Sequence, residues 1–163
     1  MCKLAPDRAQ ADLLKRSKHN FNAACSRIAE TAFSLRCAGR YRLQKFVYRD
    51  IRKEFGLSSQ MTIRAIAKVC TAYKRNKSIR PDFRPDGSVP YDQRILSWRG
   101  TEAISILTME GRIVVPVKMG DWQRDHFRNV RGGVDLVSRN GRFYLAVKIR
   151  ELEPEPYAPV AAI

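Results

Sequence analysis

Apolar residues recur at helical spacing in the first part of the chain. Between Pro6 and about Leu35, successive apolar positions are separated by seven, four, three, four and three residues. These positions are Leu14, Phe21, Cys25, Ile28, Ala32 and Leu35. Such spacing places them on one face of a helix, and we therefore predict one long amphipathic helix over this segment.

Two further helices are predicted after Gly39, which interrupts the first. One runs from about Leu43 to Gly56, and the other begins at Ser58 or Ser59, whose hydroxyls suit a helix N-terminus. The inward positions are Phe46, Val47, Ile51 and Phe55 on the second helix, and Ile66, Val69, Cys70 and Tyr73 on the third. The N-terminal part is thus predicted to be a small helical bundle.

The pattern changes between residues 74 and 90, which are rich in Lys, Arg, Pro and Gly and read as a basic crossover. Beyond it the apolar period becomes two, which is typical of strands. The predicted strands cover 94–98, 103–108, 112–117, 134–139 and 142–148. Met109 to Gly111 form the predicted turn of one hairpin, and Asn140-Gly141 form the turn of a second. One short helix is predicted over 121–130.

These elements predict an α+β fold. We divide the chain into a short extended start at 1–5, a helical part at 6–80, a β part at 81–150 and a tail at 151–163. The tail holds three Glu and three Pro, so we expect an extended linker that leads towards a further domain.

The charge of the chain indicates a class of function. The chain has 31 Lys+Arg against 16 Asp+Glu, a net charge of +15, and Arg outnumbers Lys about two to one. Such an excess favours a polyanionic partner, and the planar guanidinium suits phosphate groups and base stacking. We expect the protein to bind nucleic acid.

Two cationic segments carry the candidate contacts. From Tyr41 to Arg49, aromatic and basic residues interleave, so that Tyr41 or Tyr48 can stack on a base while Arg49, and Arg52 just beyond it, pair with phosphates. On the third helix, Gln60 and Arg64 lie four residues apart and share a face, where they can read bases in a major groove or simply be exposed to solvent. The crossover supplies Lys74, Arg75, Lys77, Arg80 and Arg84.

The sequence offers no catalytic or metal-binding residues. Asp121, Asp125 and His126 lie close together, but a capping role explains them better than a site does. The spacing of Cys2, Cys25, Cys37 and Cys70 does not suit a metal, and we expect buried free thiols. We expect no cofactor in this chain.

No segment has the long apolar run of a membrane span, and the first residues carry charges rather than a secretory signal. We therefore expect no membrane partner and a cytoplasmic, nucleoid-associated location.

Four segments in order resemble the TnpB family, the transposon-encoded RNA-guided DNA endonucleases related to type V CRISPR effectors. They are YRLQKFVYRDIRKEF (41–55), GLSSQMTIRAIAKVCTAY (56–73), FRPDGSVPYDQRILSW (83–98) and DLVSRNGRFYL (135–145). The resemblance extends from about Pro6 to Glu153.

The resemblance implies a helical recognition lobe inserted into a wedge domain, an antiparallel β-barrel of oligonucleotide-binding type. It implies a guide RNA and target double-stranded DNA as partners, with base pairing reading most of the target. Tyr41, Gln60 and Arg64 become candidates for reading the adjacent DNA motif. Arg84, Tyr91, Arg94 and the crossover become candidates for RNA contact.

The sequence departs from the family in two ways. Its first wedge strand is short, so the sequence does not predict whether the barrel closes. The chain also stops where the family's RuvC nuclease domain would begin, so we expect either an N-terminal part of a longer protein or a second polypeptide that supplies the nuclease carboxylates, and Mg²⁺ is expected only with that domain.

Three hypotheses follow. The chain is the non-catalytic, nucleic-acid-binding half of an RNA-guided nuclease, a subunit completed by a separate RuvC chain, or a general structural RNA-binding protein.

Overall fold

A computed structural model describes residues 1–149, with the side chains of residues 129–131 excepted. Within this range, three long helices are followed by a mostly β region. The helices are α1 (Arg8–Ser34), α2 (Arg40–Phe55), α3 (Ser59–Arg75) and the short α4 (Asp121–Asp125). The strands are β1 (Cys2–Leu4), β2 (Val89–Tyr91), β3 (Leu96–Arg99), β4 (Ala103–Thr108), β5 (Gly111–Lys118), β6 (Val130–Arg139) and β7 (Arg142–Ile149).

The helix ends follow from local chemistry. Asp7 caps α1 by accepting a hydrogen bond from the backbone N–H of Gln10 at 2.8 Å, and the Gln10 side chain accepts in return from the Asp7 N–H at 3.2 Å. Ser58 caps α3 by accepting from the Met61 N–H at 3.2 Å. Gly56 ends α2 with a left-handed φ of 61°, which costs glycine little.

All seven strands form one antiparallel sheet in the order β2-β6-β7-β1-β5-β4-β3. The two strands at the ends of this order, β2 and β3, are consecutive in the chain and are joined by residues 92–95 alone. So short a connection spans at most about 18 Å, and the sheet must curl until its edges come near each other. The result is a nearly closed, barrel-like sheet.

The core is continuous between the helices and the sheet. One cluster of buried residues includes Phe21 and Ile28 of α1, Ile66 of α3, and Ile104 and Leu145 of the sheet. The first strand takes part in this closure although it has three residues, because it pairs with both β5 and β7. The short first strand therefore does not prevent the sheet from curling.

The three long helices and both hairpins confirm the sequence prediction, with changes at their ends. Val47 and Ile51 face inward on α2 as predicted, but Phe46 was placed inward and is 53 % exposed. The buried stripe of α2 follows Leu43, Val47 and Ile51, one every four residues, and Phe46 falls outside it. Leu35, placed on the inner face of α1, lies just beyond the end of that helix and is also exposed.

The β region differs from the prediction in two places. Strand β2 was not predicted, and the short first strand, β1, was expected only from the family resemblance, because three residues are too few to show a period of two. The predicted helix over 121–130 stops at Asp125 and is followed by a 3₁₀ turn at Phe127–Asn129, and Val130 already belongs to β6.

The Asn140-Gly141 turn of the second hairpin is confirmed, with both residues at positive φ, 49° and 72°. All four cysteines are buried free thiols, as expected.

The predicted linker at 151–163 lies outside the described residues. Among residues 1–149, no helix has both the length and the apolar character that crossing a membrane requires.

Candidate nucleic-acid interface

A cationic groove lies between α3 and the edge of the sheet. One side of α3 lines it at helical spacing, with Gln60, Arg64, Lys68 and Arg75. The facing wall consists of Phe83, Ser88, Pro90, Asp92, Arg94, Gly132, Gly133 and Asp135, and Arg40 borders one end. Two adjoining cavities of about 410 and 470 Å³ make up this space and share Arg64. We call it the α3 groove.

Asp92 organises one end of the α3 groove. Its Oδ2 accepts hydrogen bonds from Arg64 Nε at 2.9 Å and from the Gln60 amide, and it forms an ion pair with Arg64 Nη2 at 2.5 Å. Its Oδ1 accepts from the Arg94 N–H at 3.0 Å. The side-chain amide oxygen of Gln60, Oε1, in turn accepts from Arg94 Nη1 at 3.4 Å. A single carboxylate thus holds two side chains of α3 and the backbone at Arg94.

The same contacts set the charge state of Asp92. Burial by itself favours the neutral acid, since only 12 % of the side chain is exposed. The hydrogen bonds from Arg64, the Arg94 backbone and Gln60, together with the Arg64 charge, outweigh burial and hold the pKa of Asp92 below its ordinary value. Asp92 is therefore an anion at neutral pH and occupies part of the Arg64 fork.

This arrangement limits what Gln60 and Arg64 can read. Both ends of the Gln60 amide already have partners, and Arg64 uses Nε and Nη2 on Asp92. Bidentate recognition of a base by either residue would require breaking these contacts. The remaining Nη1 of Arg64 suits a single phosphate oxygen without any rearrangement.

Lys68 lies at the middle of the α3 groove and is held from several sides. Its Nζ donates to Asn22 Oδ1 at 2.8 Å and to the Ser88 carbonyl at 2.5 Å. It also lies 5.6 Å from the centre of the Phe21 ring and 5.2 Å from that of Phe83. Burial lowers the pKa of Lys68 from its ordinary value, while Cys25 and Asp135 partly offset this.

Asn22 connects the helices to the crossover. Its buried amide donates to the carbonyls of Lys18, Pro85 and Gly87 at 3.0, 3.3 and 2.9 Å, and its oxygen receives Lys68. The start of the facing wall is therefore held against α1 and α3 by one fully buried side chain.

Close backbone approach shapes the facing wall. A Cβ on Gly133 would lie 2.6 Å from the carbonyl oxygen of Tyr91, a distance that real Cβ atoms do not reach. Glycine at this position therefore allows β6 to pass directly beside β2 where both border the α3 groove.

The predicted crossover cations continue from the C-terminal end of α3. Lys74, Arg75, Lys77, Arg80 and Arg84 are all exposed. Arg80 lies 4.0 Å from Glu30, a loose and solvent-exposed ion pair. Because Arg75 also lines the α3 groove, the crossover and the groove form one cationic surface.

A second cationic surface is the outer side of α2. Tyr41 is 81 % exposed and lines a shallow depression with Lys45, Phe46, Tyr48 and Arg49. We call this the α2 outer face. Arg52 lies beside it, with its guanidinium 5.6 Å from the centre of the Tyr48 ring and its Nε donating to the Leu57 carbonyl at 3.4 Å.

The structure brings some of the predicted residues together and separates others. Gln60, Arg64, Arg75 and Arg94 line the α3 groove, as does Arg40, the residue next to Tyr41. Tyr41 itself belongs to the α2 outer face, so the three predicted DNA contacts do not share one cavity.

Tyr91 was predicted to contact RNA, and the structure places it in the core instead. Its side chain is 1 % exposed, and its hydroxyl donates to the Leu107 carbonyl at 3.0 Å across the barrel. A buried ring offers no face for a base to stack on. Tyr91 is therefore a core residue, and only its backbone borders the groove wall.

Sequence reasoning missed Lys68, Asp92, Asn22 and Gly133. Lys68 follows Arg64 by four residues, and extending the Gln60–Arg64 row by one turn would have found it. The other three carry no local signal, because their partners are distant in the sequence.

Within residues 1–149, no cluster of three or more His, Cys, Asp and Glu residues is arranged to hold a metal ion. Asp121 and Asp125 are the first and last residues of α4, and His126, which follows that helix, stacks on Trp122. The geometry of the described residues suits binding of an anion, with the cations fixed by hydrogen bonds.

Comparison with known protein families finds no family model that matches this chain. Comparison with curated proteins likewise finds no match.

Proposed function

We propose that this protein binds nucleic acid through the α3 groove and the crossover that adjoins it, without catalysing a reaction itself. The observation that carries the proposal is that Arg64, Lys68 and Arg75 lie on one side of α3, four and seven residues apart, and lead directly into the exposed crossover cations. A row of cations complements the repeated charges of a phosphate backbone.

Two further observations support nucleic acid over a merely solvated basic surface. Asp92 and Asn22 hold the groove cations in place, so little side-chain freedom remains to be lost on binding. The net charge of +15 provides long-range attraction to a polyanion, which accelerates encounter at low salt.

The finer proposal is a TnpB-like role. In this role α1 to α3 form the recognition lobe, and the barrel-like sheet is a wedge domain of oligonucleotide-binding type. The chain would then bind the guide RNA and the motif beside the DNA target, and a RuvC domain would supply Mg²⁺-dependent cleavage. The order of helices first and antiparallel barrel second is compatible with this role, as is the absence of a metal cluster among the described residues.

The first experiment measures how binding depends on salt. The purified chain is titrated with a structured RNA, a single-stranded RNA and a DNA duplex at 0.05 to 0.4 M salt. If about eight phosphates are contacted, log affinity falls with log salt at a slope of about −7 for duplex DNA. Affinity that hardly changes with salt would contradict the proposal.

Matched variants locate the interface. Arg75→Ala and Arg84→Ala should each weaken binding to all three nucleic acids and reduce the steepness of the slope by about 1. Arg16→Ala is the control, since Arg16 is exposed and pairs with Glu110 at 2.8 Å, away from the α3 groove. Equal effects of all three variants would show that only net charge matters.

The TnpB-like role has its own test. RNA that copurifies with the chain from its native host is sequenced, and an abundant transcript from a transposon end supports the role. A mixture of unrelated RNAs supports a general RNA-binding protein instead. In addition, Arg64→Ala should weaken DNA binding more than RNA binding, and Arg84→Ala should do the reverse.

A further inference from the structure

An exposed tryptophan on α4 forms half of a stacked pair of rings. Trp122 is 56 % exposed, and its ring lies 4.2 Å from that of His126 with an angle of 20° between the planes. His126 Nδ1 lies 2.8 Å from the Trp122 carbonyl, a hydrogen bond that holds the imidazole in the stack. One face of the indole is therefore covered by His126.

Two side chains of α4, the helix that carries Trp122, hold this helix in place. The Gln123 side chain accepts from the Gly120 N–H at 2.9 Å and donates to the Met1 carbonyl. Arg124 Nη1 bonds to Glu102 at 2.9 Å, and Arg124 Nε to the Met119 carbonyl at 3.4 Å. These contacts attach α4 to the barrel, so the stacked rings have a fixed position.

The surroundings of Trp122 do not resemble a protein-docking patch. Asp121, Gln123, Arg124 and Asp125 surround it on α4, and none of these side chains is apolar. A stable protein interface needs a larger contiguous apolar area than one indole provides. A single flat ring amid polar groups suits one flat ligand ring, because stacking needs only the two faces.

The position of the pair relates it to the α3 groove. Phe127, next to His126, contacts Trp98 of β3 edge-on with ring centres 5.2 Å apart. Arg94, at the end of the α3 groove, lies in the turn before β3 and precedes Trp98 by four residues. Four residues span at most about 14 Å, which is no more than the length of about four stacked nucleotides at about 3.4 Å each.

We propose that Trp122, supported by His126, is a stacking site for an unpaired nucleobase of a strand that leaves the α3 groove near Arg94. The inference rests on the proposed function and adds a ligand class: single-stranded nucleic acid, recognised by a π face without base-specific hydrogen bonds. Stacking of this kind contributes to affinity independently of phosphate contacts.

The test uses the full chain and a 12-residue oligouridylate, which has no secondary structure. In the Trp98→Phe variant, Trp122 is the only tryptophan, and we expect saturable quenching of its fluorescence on titration. Trp122→Ala should bind the oligonucleotide about tenfold more weakly with an unchanged salt slope, because no charge is removed. Trp122→Phe should restore most of the affinity.

The controls separate this inference from the proposed function. Trp122→Ala should bind an RNA duplex as tightly as the native chain, since a paired base cannot reach the ring. Met109→Ala removes another exposed apolar side chain and should change neither the affinity for oligouridylate nor that for the duplex. Unchanged oligouridylate binding by Trp122→Ala, together with weakened binding by Arg75→Ala, would overturn the stacking site and leave the proposed function intact. If the native chain binds no nucleic acid, both the stacking site and the proposed function are wrong.

Discussion

The α3 groove and the α2 outer face are both rich in cations, but their cations have different surroundings. In the α3 groove, Arg64 is bound to Asp92, and Lys68 to Asn22 and Ser88. On the α2 outer face, Lys45 and Arg49 extend into solvent, and the described residues offer them no hydrogen-bond or ion-pair partner.

The difference indicates two ways of using positive charge. Free surface cations attract any polyanion, and salt screens their effect over about 10 Å at 0.1 M. Cations fixed by neighbouring groups keep one geometry before the ligand arrives, which favours ligands of matching shape. We therefore expect the α2 outer face to contribute general affinity and the α3 groove to contribute orientation.

The largest effect is expected from a variant that breaks the hydrogen-bond network of the α3 groove. Asn22→Ala removes the acceptor of Lys68 and leaves the carbonyls of Pro85 and Gly87 without their buried donor. We expect the free energy of unfolding to fall by about 3 kcal/mol, measured by urea denaturation. Asn76→Ala, which removes one exposed hydrogen bond from the Ser78 N–H at 2.9 Å, is the control, and equal stability of the two variants would show that the buried network is unimportant.

The next effect concerns the free cations. The double variant Lys45→Ala, Arg49→Ala should weaken binding to single-stranded RNA and to duplex DNA alike, by more than about tenfold at 0.1 M salt, and make the salt slope shallower by about 2. Fluorescence anisotropy at several salt concentrations measures both quantities. A loss confined to one type of nucleic acid would mean that the α2 outer face is selective as well.

Asp92→Asn tests the fixed end of the α3 groove. It should lower the free energy of unfolding at pH 7 by about 1 kcal/mol, since charge-assisted hydrogen bonds to Arg64 are weakened. The pKa of Asp92 is lowered in the folded state. The native chain therefore has the larger free energy of unfolding above the unfolded-state pKa of about 3.9, and we call this difference from Asp92→Asn its advantage. That advantage should disappear as the pH falls through the lower folded-state pKa, which denaturation at a series of pH values would show.

The smallest effect is expected at an exposed residue of α2, Phe46, and is compared with that at its buried neighbour, Val47. Phe46→Ala should change the free energy of unfolding by less than about 0.5 kcal/mol, because the side chain is exposed. Val47→Ala should cost about 2 kcal/mol, since Val47 is 4 % exposed and lies in the core. Similar losses for both variants would place Phe46 in the core after all.

Much of the fold could be predicted because its signals are local. The period of apolar residues gave α1 to α3, and Asn140-Gly141 gave the turn between β6 and β7. β1 and β2 could not be found in this way, since each has three residues and owes its existence to pairing partners far along the chain. The burial of Tyr91 depends on the same pairing.

The candidate interface was predictable in its composition but not in its geometry. Gln60 and Arg64 share a helix face for a reason visible in their spacing, and Arg75 lies on the same side. Asp92, which lies 28 residues from Arg64, engages both Gln60 and Arg64 and changes what they can bind. No pattern in the sequence links these residues.

The order of residues by itself determined the helices, the hairpins and the excess of positive charge, because these depend on near neighbours and on composition. Only the tertiary structure decided which cations are free and which are held, since a charge acquires a partner when the chain folds back on itself. It also placed Trp122 on His126 at the surface while it buried Tyr91. The physical reason is the same in each case: exposure and pairing are properties of the packed molecule, whereas periodicity is a property of the chain.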